Sequence, residues 1–302
     1  MSHENSSVKS IIFALLANLG IAITKTVAAI VTSSGAMLAE SIHSFADCGN
    51  QGLLFLGLKA SKRNPSPDHP LGHGKAIFFW SFIVALILFS MGGLFSIYEG
   101  IHKLNSTEEI SSPYIAIVVL FVSMLMEGAS LLGCINQIKK IKGKQSIWKW
   151  ALTSRKSELV VVMGEDVAAL LGLSFALISV ILTMVTGNPV FDAIGSIVIG
   201  VLLVAVSIFL AVKIEGLLVG QSVDPEVQKE ITLFLEAQPE VEKVLNLITI
   251  QLGEKIMVTV KAKMTETKSS DELIQNINKC EAALKSKNKQ IQWSFFEPDI
   301  TD

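Results

Sequence analysis

Residues Pro189–Val219 read PVFDAIGSIVIGVLLVAVSIFLAVKIEGLLV. A transmembrane helix needs about 20 mainly apolar residues, so this run is long enough to cross a bilayer. The turn sequence TGNP separates it from a second long apolar run, Leu159–Thr186. Because Gly and Asn-Pro interrupt helices, the two runs predict a helical hairpin within a membrane.

The rest of the chain has the composition of a membrane protein. Of its 302 residues, 50% are hydrophobic and 17% are charged, and the mean hydropathy is +0.53. A soluble domain has about 25% charged residues, so this excess of apolar side chains predicts contact with lipid. Six stretches are long and apolar enough to span a bilayer: Ser10–Val31, Ala36–Ala60, Ala76–Leu104, Pro113–Ile138, Leu159–Thr186 and Pro189–Val219. We therefore expect an all-α, six-helix transmembrane domain over residues 1–221.

Lysine and arginine in the loops predict the orientation, because short cytoplasmic loops collect them. They precede the first span and fill the loops after the second and fourth spans, whereas the TSSG and TGNP turns contain none. Both termini are therefore expected in the cytoplasm. The N-terminal MSHENSSVKS has no Arg-rich amphipathic pattern, and the apolar run behind it is too long for a signal peptide. We expect a multi-pass protein of the bacterial inner membrane.

The pattern changes from Asp224 onward to that of a small cytoplasmic α/β domain, which we assign to residues 222–302. The expected elements are a helix from Asp224-Pro225 to about Gln238, a hairpin of Val244–Leu252 and Lys255–Met264, a helix over about Ser270–Lys285, and a strand over Ile291–Phe296. This αββαβ order is ferredoxin-like. Neither G-x-x-x-x-G-K-[ST] nor G-x-G-x-x-G occurs, so ATP is not the expected energy source. The formal net charge of -2 gives no sign of a nucleic-acid partner.

The second predicted span carries a stripe of polar side chains within SGAMLAESIHSFADCGNQ, residues 34–51. At about 100° per residue, the stripe of Glu40, His43, Asp47 and Asn50 covers an arc of about 80° on one helix. A charged group at membrane depth costs on the order of 2.5 kcal/mol, so it marks a transport pathway or a structural pair. His43 and Asp47 are one turn apart, where both can bind the same ion. In the alternative interpretation, the two side chains only hydrogen-bond to each other inside a helix bundle.

The fifth predicted span supplies two more carboxylates, Glu165 and Asp166. If Asp166 faces Asp47, the resulting set of one imidazole and two carboxylates suits a borderline divalent cation such as Zn²⁺. Val162, one turn before Asp166, cannot coordinate a metal, so Glu40, Glu165 or water must complete the shell. The alternative is that Glu165 and Asp166 pair with a lysine or a hydroxyl group of a neighbouring helix.

Other polar groups are less specific. The loop after the second span holds Asp68, His69 and His73, and its His-x-x-x-His spacing is either a metal site or a polar turn, since Pro70 and Gly72 disfavour a regular helix. The remaining charged groups near the spans are expected to be structural, through snorkelling, capping or pairing; they are Lys25, Glu99, His102, Glu127, Asp192 and Glu215.

This ordering of features resembles the cation diffusion facilitator family of zinc transporters, and the resemblance covers almost the whole chain. The most specific motifs are ESIHSFAD at 40–47 with NQG at 50–52, HPLGHG at 69–74 and GEDVAA at 164–169. Together they are similar to the branch of the animal zinc transporter nine.

The resemblance implies a homodimeric, proton-coupled zinc exporter that works by alternating access, with one ion site between the second and fifth spans. His43 and Asp47 match the family's second-span ligands, and Asp166 matches a carboxylate of its fifth-span pair. Val162 departs from the family, because many members have a histidine or an aspartate there.

The resemblance also bears on the cytoplasmic parts of the chain. His69 and His73 look like the family's loop site. Many members bind zinc in the tail through histidines, yet no histidine follows His102 in this chain. We therefore expect the tail to mediate dimer contact, with weak or no metal sensing.

Three other functions stay open beside zinc transport. The carboxylate-rich set also suits Mn²⁺, Fe²⁺ or Co²⁺, although the imidazole favours zinc. An intramembrane metalloenzyme would need a water-activating metal site, but no H-E-x-x-H motif occurs, so we do not expect an enzyme. The third is a scaffold or regulatory membrane protein whose tail recruits partners and whose buried charges are structural.

Overall fold

The structure is a computed structural model that describes residues 18–104 and 112–301. Its first part is helical, with α1 (Asn18–Thr32), α2 (Gly35–Ser61), α3 (Ala76–Leu104), α4 (Pro113–Ile141), α5 (Ile147–Thr153), α6 (Ser157–Thr186) and α7 (Val190–Val219). The start of the predicted first span, Ser10–Val31, lies outside the described residues. The short helix α5 falls inside the predicted fourth loop and was not expected.

Helices α3, α4, α6 and α7 are each 29 or 30 residues long and apolar enough to cross a membrane. Large apolar side chains along them are exposed, including Ile178, Val185, Val201 and Val212. Surface of this kind is unfavourable in water and is solvated by lipid tails, so these faces are where lipid meets the protein. A helical multi-pass membrane region is thereby confirmed, whereas the count of six spans stays a prediction because α1 and α2 do not meet the same criterion.

The chain divides into two compact units, and the described part of the first consists of residues 18–57, 80–104, 112–151 and 158–214. Within it, α3 and α7 touch backbone to backbone. A side-chain carbon on Gly200 would lie 2.7 Å from the carbonyl oxygen of Gly93, so neither position has room for a side chain. Gly93 belongs to a π-helical segment, Leu88–Leu94, inside α3.

The turn between α1 and α2 is fixed by Asp192 of α7. Its carboxylate accepts hydrogen bonds from the Ser34 hydroxyl and the Gly35 amide, both at 2.6 Å, and from the Ala36 amide at 3.3 Å. Lys103 lies 3.5 Å from the same carboxylate. Because the first amides of a helix have no partner within the helix, Asp192 satisfies the start of α2. This agrees with the structural role expected for Asp192.

The second unit consists of residues 58–79, 152–157 and 215–301 in the described chain. Its elements after α7 are α8 (Pro225–Glu236), β1 (Val241–Leu252), β2 (Lys255–Met264), α9 (Ser270–Lys287) and β3 (Ile291–Pro298). The sheet order is β1-β2-β3, with β1 and β2 antiparallel and β2 and β3 parallel. The predicted αββαβ order is observed, and similarity to ferredoxin-like domains stays a prediction.

Local sequence explains where these elements begin. Asp224 caps α8 by accepting a hydrogen bond from the Glu226 amide at 3.1 Å, and Pro225 takes the first helical position. Ser269 caps α9 in the same way through the Glu272 amide. Strand β1 starts three residues before the predicted Val244, because irregular pairing extends the hairpin back to Val241.

Both helices cover one face of the sheet, where the apolar side chains of β2 alternate inward. The buried core consists of Val223, Ile231, Leu235, Val241, Ile256, Val258, Val260, Ala262, Cys280, Leu284 and Ile291. All of these residues lie within the predicted cytoplasmic domain.

At the start of the sheet, a hydrogen bond from Lys279 lowers the pKa of Glu240.

Candidate metal centre

The polar stripe of α2 lies on the buried face of the helix, as its phase predicts. Glu40 and Asn50 are completely buried, His43 is 1% exposed, and the Asp47 side chain is 17% exposed. Since α2 packs against its neighbours along this face, the four side chains point into the membrane unit and not toward lipid.

His43 and Asp47 lie side by side, with 3.6 Å between Nε2 and Oδ2. This distance is too long for a hydrogen bond. Neither ring nitrogen of His43, nor Oδ1 of Asp47, has a hydrogen-bond partner among the described residues. Buried polar atoms normally have partners, so these lone pairs are a free set of ligand atoms.

A cavity of about 50 Å³ opens beside Asp47, between α1, α2, α4 and α6. Asp47 lines it from α2, and Glu165 and Asp166 line it from α6. A water molecule occupies about 30 Å³ in the liquid, so the space suits a cation with little of its hydration shell. Side chains of the predicted second and fifth spans therefore line the same cavity, and an ion site there stays a prediction.

Glu165 and Asp166 each have a polar partner on another helix. Asn50 donates to Glu165 Oε1 at 2.5 Å, and the Ser130 hydroxyl lies 3.3 Å from both carboxylate oxygens of Asp166. The contact with Ser130 is the pairing with a hydroxyl group that the alternative interpretation describes. Both carboxylates nevertheless keep acceptor capacity, because each carboxylate has about four lone-pair directions.

The predicted ligands do not form a closed coordination shell. Between residues 18 and 104 and between 112 and 301, no three His, Cys, Asp or Glu side chains converge closely enough to hold a metal ion. Val162 lines the cavity at the position where a ligand is missing. The proposed ligand set is therefore not assembled around a common point in this structure.

Glu40 takes a different role from the other members of the stripe. Its Oε2 atom lies 3.2 Å from Nζ of Lys25 on α1, and both side chains are completely buried. Lys25 also donates to the Ser44 hydroxyl at 2.8 Å. For Lys25, snorkelling, capping and pairing were the expected structural roles, and the structure shows pairing with Glu40.

The structure adds two residues of α4 to the cavity, Glu127 and Ser130. They are three positions apart and thus share one face of the helix. We expected Glu127 to be structural, because a single charge on an apolar span does not reveal which helix it faces. The Glu127-x-x-Ser130 spacing was the available sign that this face of α4 is polar.

The histidines of the loop after α2 lie together. The rings of His69 and His73 stack with 4.3 Å between their centroids, and Asp68 is exposed. The His73 Nδ1 atom is buried and has no hydrogen-bond partner in the described part of the chain. The loop is held by a two-residue bridge between Ser66 and His69, so it is a turn and not a helix.

Comparison with known proteins places the chain in one family. The model of the cation efflux transmembrane domain matches residues 11–218. The chain is 38% identical over 231 residues to the proton-coupled zinc antiporter SLC30A9, mitochondrial, of Xenopus laevis, covering 76% of this chain and 41% of that protein. It is 38% identical over 206 residues to metal tolerance protein C4 of Arabidopsis thaliana, covering 68% of this chain and 45% of the plant protein.

A bacterial relative has a length closer to that of this chain. The manganese efflux system protein MneP of Bacillus subtilis is 30% identical over 236 residues, which cover 75% of this chain and 73% of that protein. The animal and plant relatives are longer, and the chain spans less than half of their length. Because the family model covers more than half of the chain, this protein belongs to the cation diffusion facilitator family of metal transporters.

Proposed function

We propose that this protein exports zinc from the cytoplasm in exchange for protons, by alternating access, as a homodimer with both termini in the cytoplasm. One observation carries the proposal: Asp47 and Asp166 line one cavity from two helices, and the unpartnered ring of His43 lies beside Asp47. One imidazole and two carboxylates are a ligand set that suits Zn²⁺.

The coupling follows from competition for the same lone pairs. A metal ion binds the neutral imidazole and the ionised carboxylates, so its binding releases protons, and protonation releases the metal. His43 is the assigned proton carrier, because imidazole exchanges its proton nearest to neutral pH. An inward proton gradient then drives zinc outward.

The fourth ligand does not come from position 162. Glu165 and Glu127 line the cavity and water can enter it, whereas Glu40 does not line it and has its Oε2 atom 3.2 Å from Lys25. We assign this position to water in the resting ligand set, because a hydrated site binds zinc weakly enough to release it on the far side.

The name of the Xenopus laevis relative supports zinc and protons as the transported ions. Manganese is the second candidate, because the cavity is lined by Asp47, Glu127, Glu165 and Asp166 and the Bacillus subtilis relative is a manganese efflux protein. Carboxylates suit Mn²⁺, whereas the imidazole of His43 suits Zn²⁺ better.

From the sequence alone we also propose cytoplasmic termini, a bacterial inner membrane and a non-enzymatic role. The homodimer and alternating access are proposed from the resemblance to the family. The loop residues Asp68, His69 and His73 are proposed as an auxiliary metal site, supported by the proximity of the two rings.

The test is transport by the purified protein in vesicles that contain a fluorescent zinc reporter. We expect zinc uptake that increases with an imposed pH gradient. Asp47→Asn should reduce this uptake by at least about tenfold, because it removes a charged ligand while keeping the size of the side chain. Parallel assays with Mn²⁺ decide between the two candidate ions.

Glu99→Gln is the matched control, since it makes the same kind of change on α3 in a residue that does not line the cavity. Zinc uptake by Asp47→Asn at the level of this control would contradict the site assignment. If the unmodified protein transports none of the four ions zinc, manganese, iron and cobalt, the transport proposal itself is wrong.

A further inference from the structure

A second cavity lies within the second unit, and its lining includes none of the membrane-helix residues of the candidate metal centre. Its volume is about 330 Å³. The walls come from the loop after α2, from the turn between β1 and β2, and from the start of β3. Small-molecule sites in proteins begin at about this size, so the cavity has room for a compact ligand.

The cavity is strongly basic. Lys62, Arg63 and Lys255 line it, and none of the three has an ion pair among the residues that the structure describes. Glu254 is the acidic residue in the lining, so the charged side chains sum to +2. Three unpaired cations around one concave surface repel one another, and an anion that binds between them relieves this repulsion.

The chemistry of the lining selects the kind of anion. A guanidinium group presents a planar fork of N–H donors that matches phosphate oxygens, and the two ammonium groups add compact charges. The Trp293 ring is a flat, partly buried wall of the same cavity, against which a ribose, inositol or base ring can stack. His73 contributes a buried ring nitrogen without a partner among the described residues.

The two sides of the cavity are joined by their backbones. A side-chain carbon on Gly74 would collide with the carbonyl oxygen of Leu252, and Gly253 is in the left-handed conformation at φ +66°. The loop and the hairpin turn therefore meet at two glycines. This close contact holds Lys62 and Arg63 of the loop and Lys255 of the hairpin around the same cavity.

We propose that this cavity is a binding site for a small phosphorylated ligand that carries two or more negative charges. The ligand is either a soluble nucleotide or the head group of a phosphorylated lipid, which share the phosphate and ring chemistry. The site is independent of zinc transport, so it does not rest on the proposed function.

The test measures binding to the full chain in detergent by isothermal titration calorimetry, with pyrophosphate and ADP as soluble probes. Lipid nanodiscs containing phosphatidylinositol 4-phosphate are the third probe. EDTA is present throughout, so that a metal ion held by His69 and His73 cannot bridge to the phosphate. Binding of the soluble probes identifies a nucleotide-type ligand, and binding confined to the nanodiscs identifies a lipid head group.

Arg63→Glu and Lys255→Glu should each weaken binding by about tenfold or more, because each removes a charged hydrogen-bond donor to phosphate. Both residues are exposed, so the variants are expected to fold. Lys289→Glu is the matched control, since it makes the same charge change at an exposed position of the same unit that does not line the cavity.

The proposal predicts that the control binds like the unmodified protein. It is overturned if none of the three probes binds. It is equally overturned if Arg63→Glu and Lys255→Glu bind as tightly as Lys289→Glu, since the phosphate would then lie elsewhere on the protein.

Discussion

Lys25 and Glu40 hold two opposite charges in the interior of the membrane unit, with both side chains completely buried. A buried pair of this kind loses much of its Coulomb energy to desolvation, but removing one partner leaves a lone charge without compensation. Substitution of Lys25 or Glu40 alone is therefore expected to destabilise the protein. Glu40 thus differs from Asp47, whose neighbour among the described residues is the imidazole of His43.

Lys25→Met is expected to destabilise the protein by roughly 3–5 kcal/mol, because Glu40 is then buried without its counter-charge. The double variant Lys25→Met, Glu40→Leu should recover most of this loss, since both charges are removed together. Thermal unfolding of the purified protein in detergent measures the difference. Equal melting temperatures for the single and double variants would show that the two charges are not coupled.

The residues of the site could be predicted only in part. Helix phase placed Glu40, His43, Asp47 and Asn50 on one face because this spacing depends on α2 alone. The partners across the helix contacts were beyond prediction, because the sequence does not give the rotation of one helix against another. For this reason the Asn50–Glu165 hydrogen bond and the position of Glu127 became apparent only in the structure.

At the scale of elements, α3 and α7 approach more closely than side chains would allow. Gly93 and Gly200 form the contact, and Gly100 of α3 has the same relation to Ala193 and Ile197 of α7. Small residues at such positions let helix backbones pack tightly where the hydrophobic effect gives no driving force. The π-helical segment of α3 lies at one end of this contact.

Gly200→Ala should destabilise the contact by about 1–3 kcal/mol, because the added methyl group meets the backbone of α3. Gly133→Ala on α4 is the control, since its new methyl group would have nothing within 4 Å. We expect a lower melting temperature in detergent for the first variant and an unchanged or slightly higher one for the second. A Gly200→Ala protein as stable as the control would refute the close packing.

The sequence predicted elements best where they are long or sharply bounded. The predicted limits of the spans in α3, α4, α6 and α7 agree with the structure to within about three residues. The short helix α5 was missed because seven residues give too little periodicity to recognise. The π-helical segment was not predicted, because hydropathy does not distinguish one helix type from another.

At the scale of the whole molecule, each unit has an interior of its own. The buried core cluster described for the second unit consists of residues between 223 and 291, although segments 58–79 and 152–157 belong to the same unit. The predicted boundary between residues 221 and 222 falls within this unit, which begins again at residue 215. A core that is contained in one stretch of chain is a condition for independent folding.

We expect residues 222–302, produced alone, to fold into a soluble α/β domain that unfolds cooperatively. Circular dichroism during heating measures this, and mixed helix and strand signals with one sigmoidal transition are the expected result. Val258→Asp is the control variant, since it places a charge in the fully buried centre of β2 and should abolish the transition. If the unsubstituted fragment 222–302 shows no cooperative unfolding transition, segments 58–79 and 152–157 are needed for its folding.

The polarity of α2 has a consequence for how the protein is made. A segment with Glu40, His43, Asp47 and Asn50 along one side enters lipid from the translocon poorly by itself. Helix α1 leaves the ribosome first and carries Lys25, and the two helices are joined by a tight turn at Ser33. When α2 follows, the Glu40 carboxylate can pair with the Lys25 ammonium group of α1. If both segments span the membrane as predicted, we expect them to enter the bilayer at lower cost as a pair than separately.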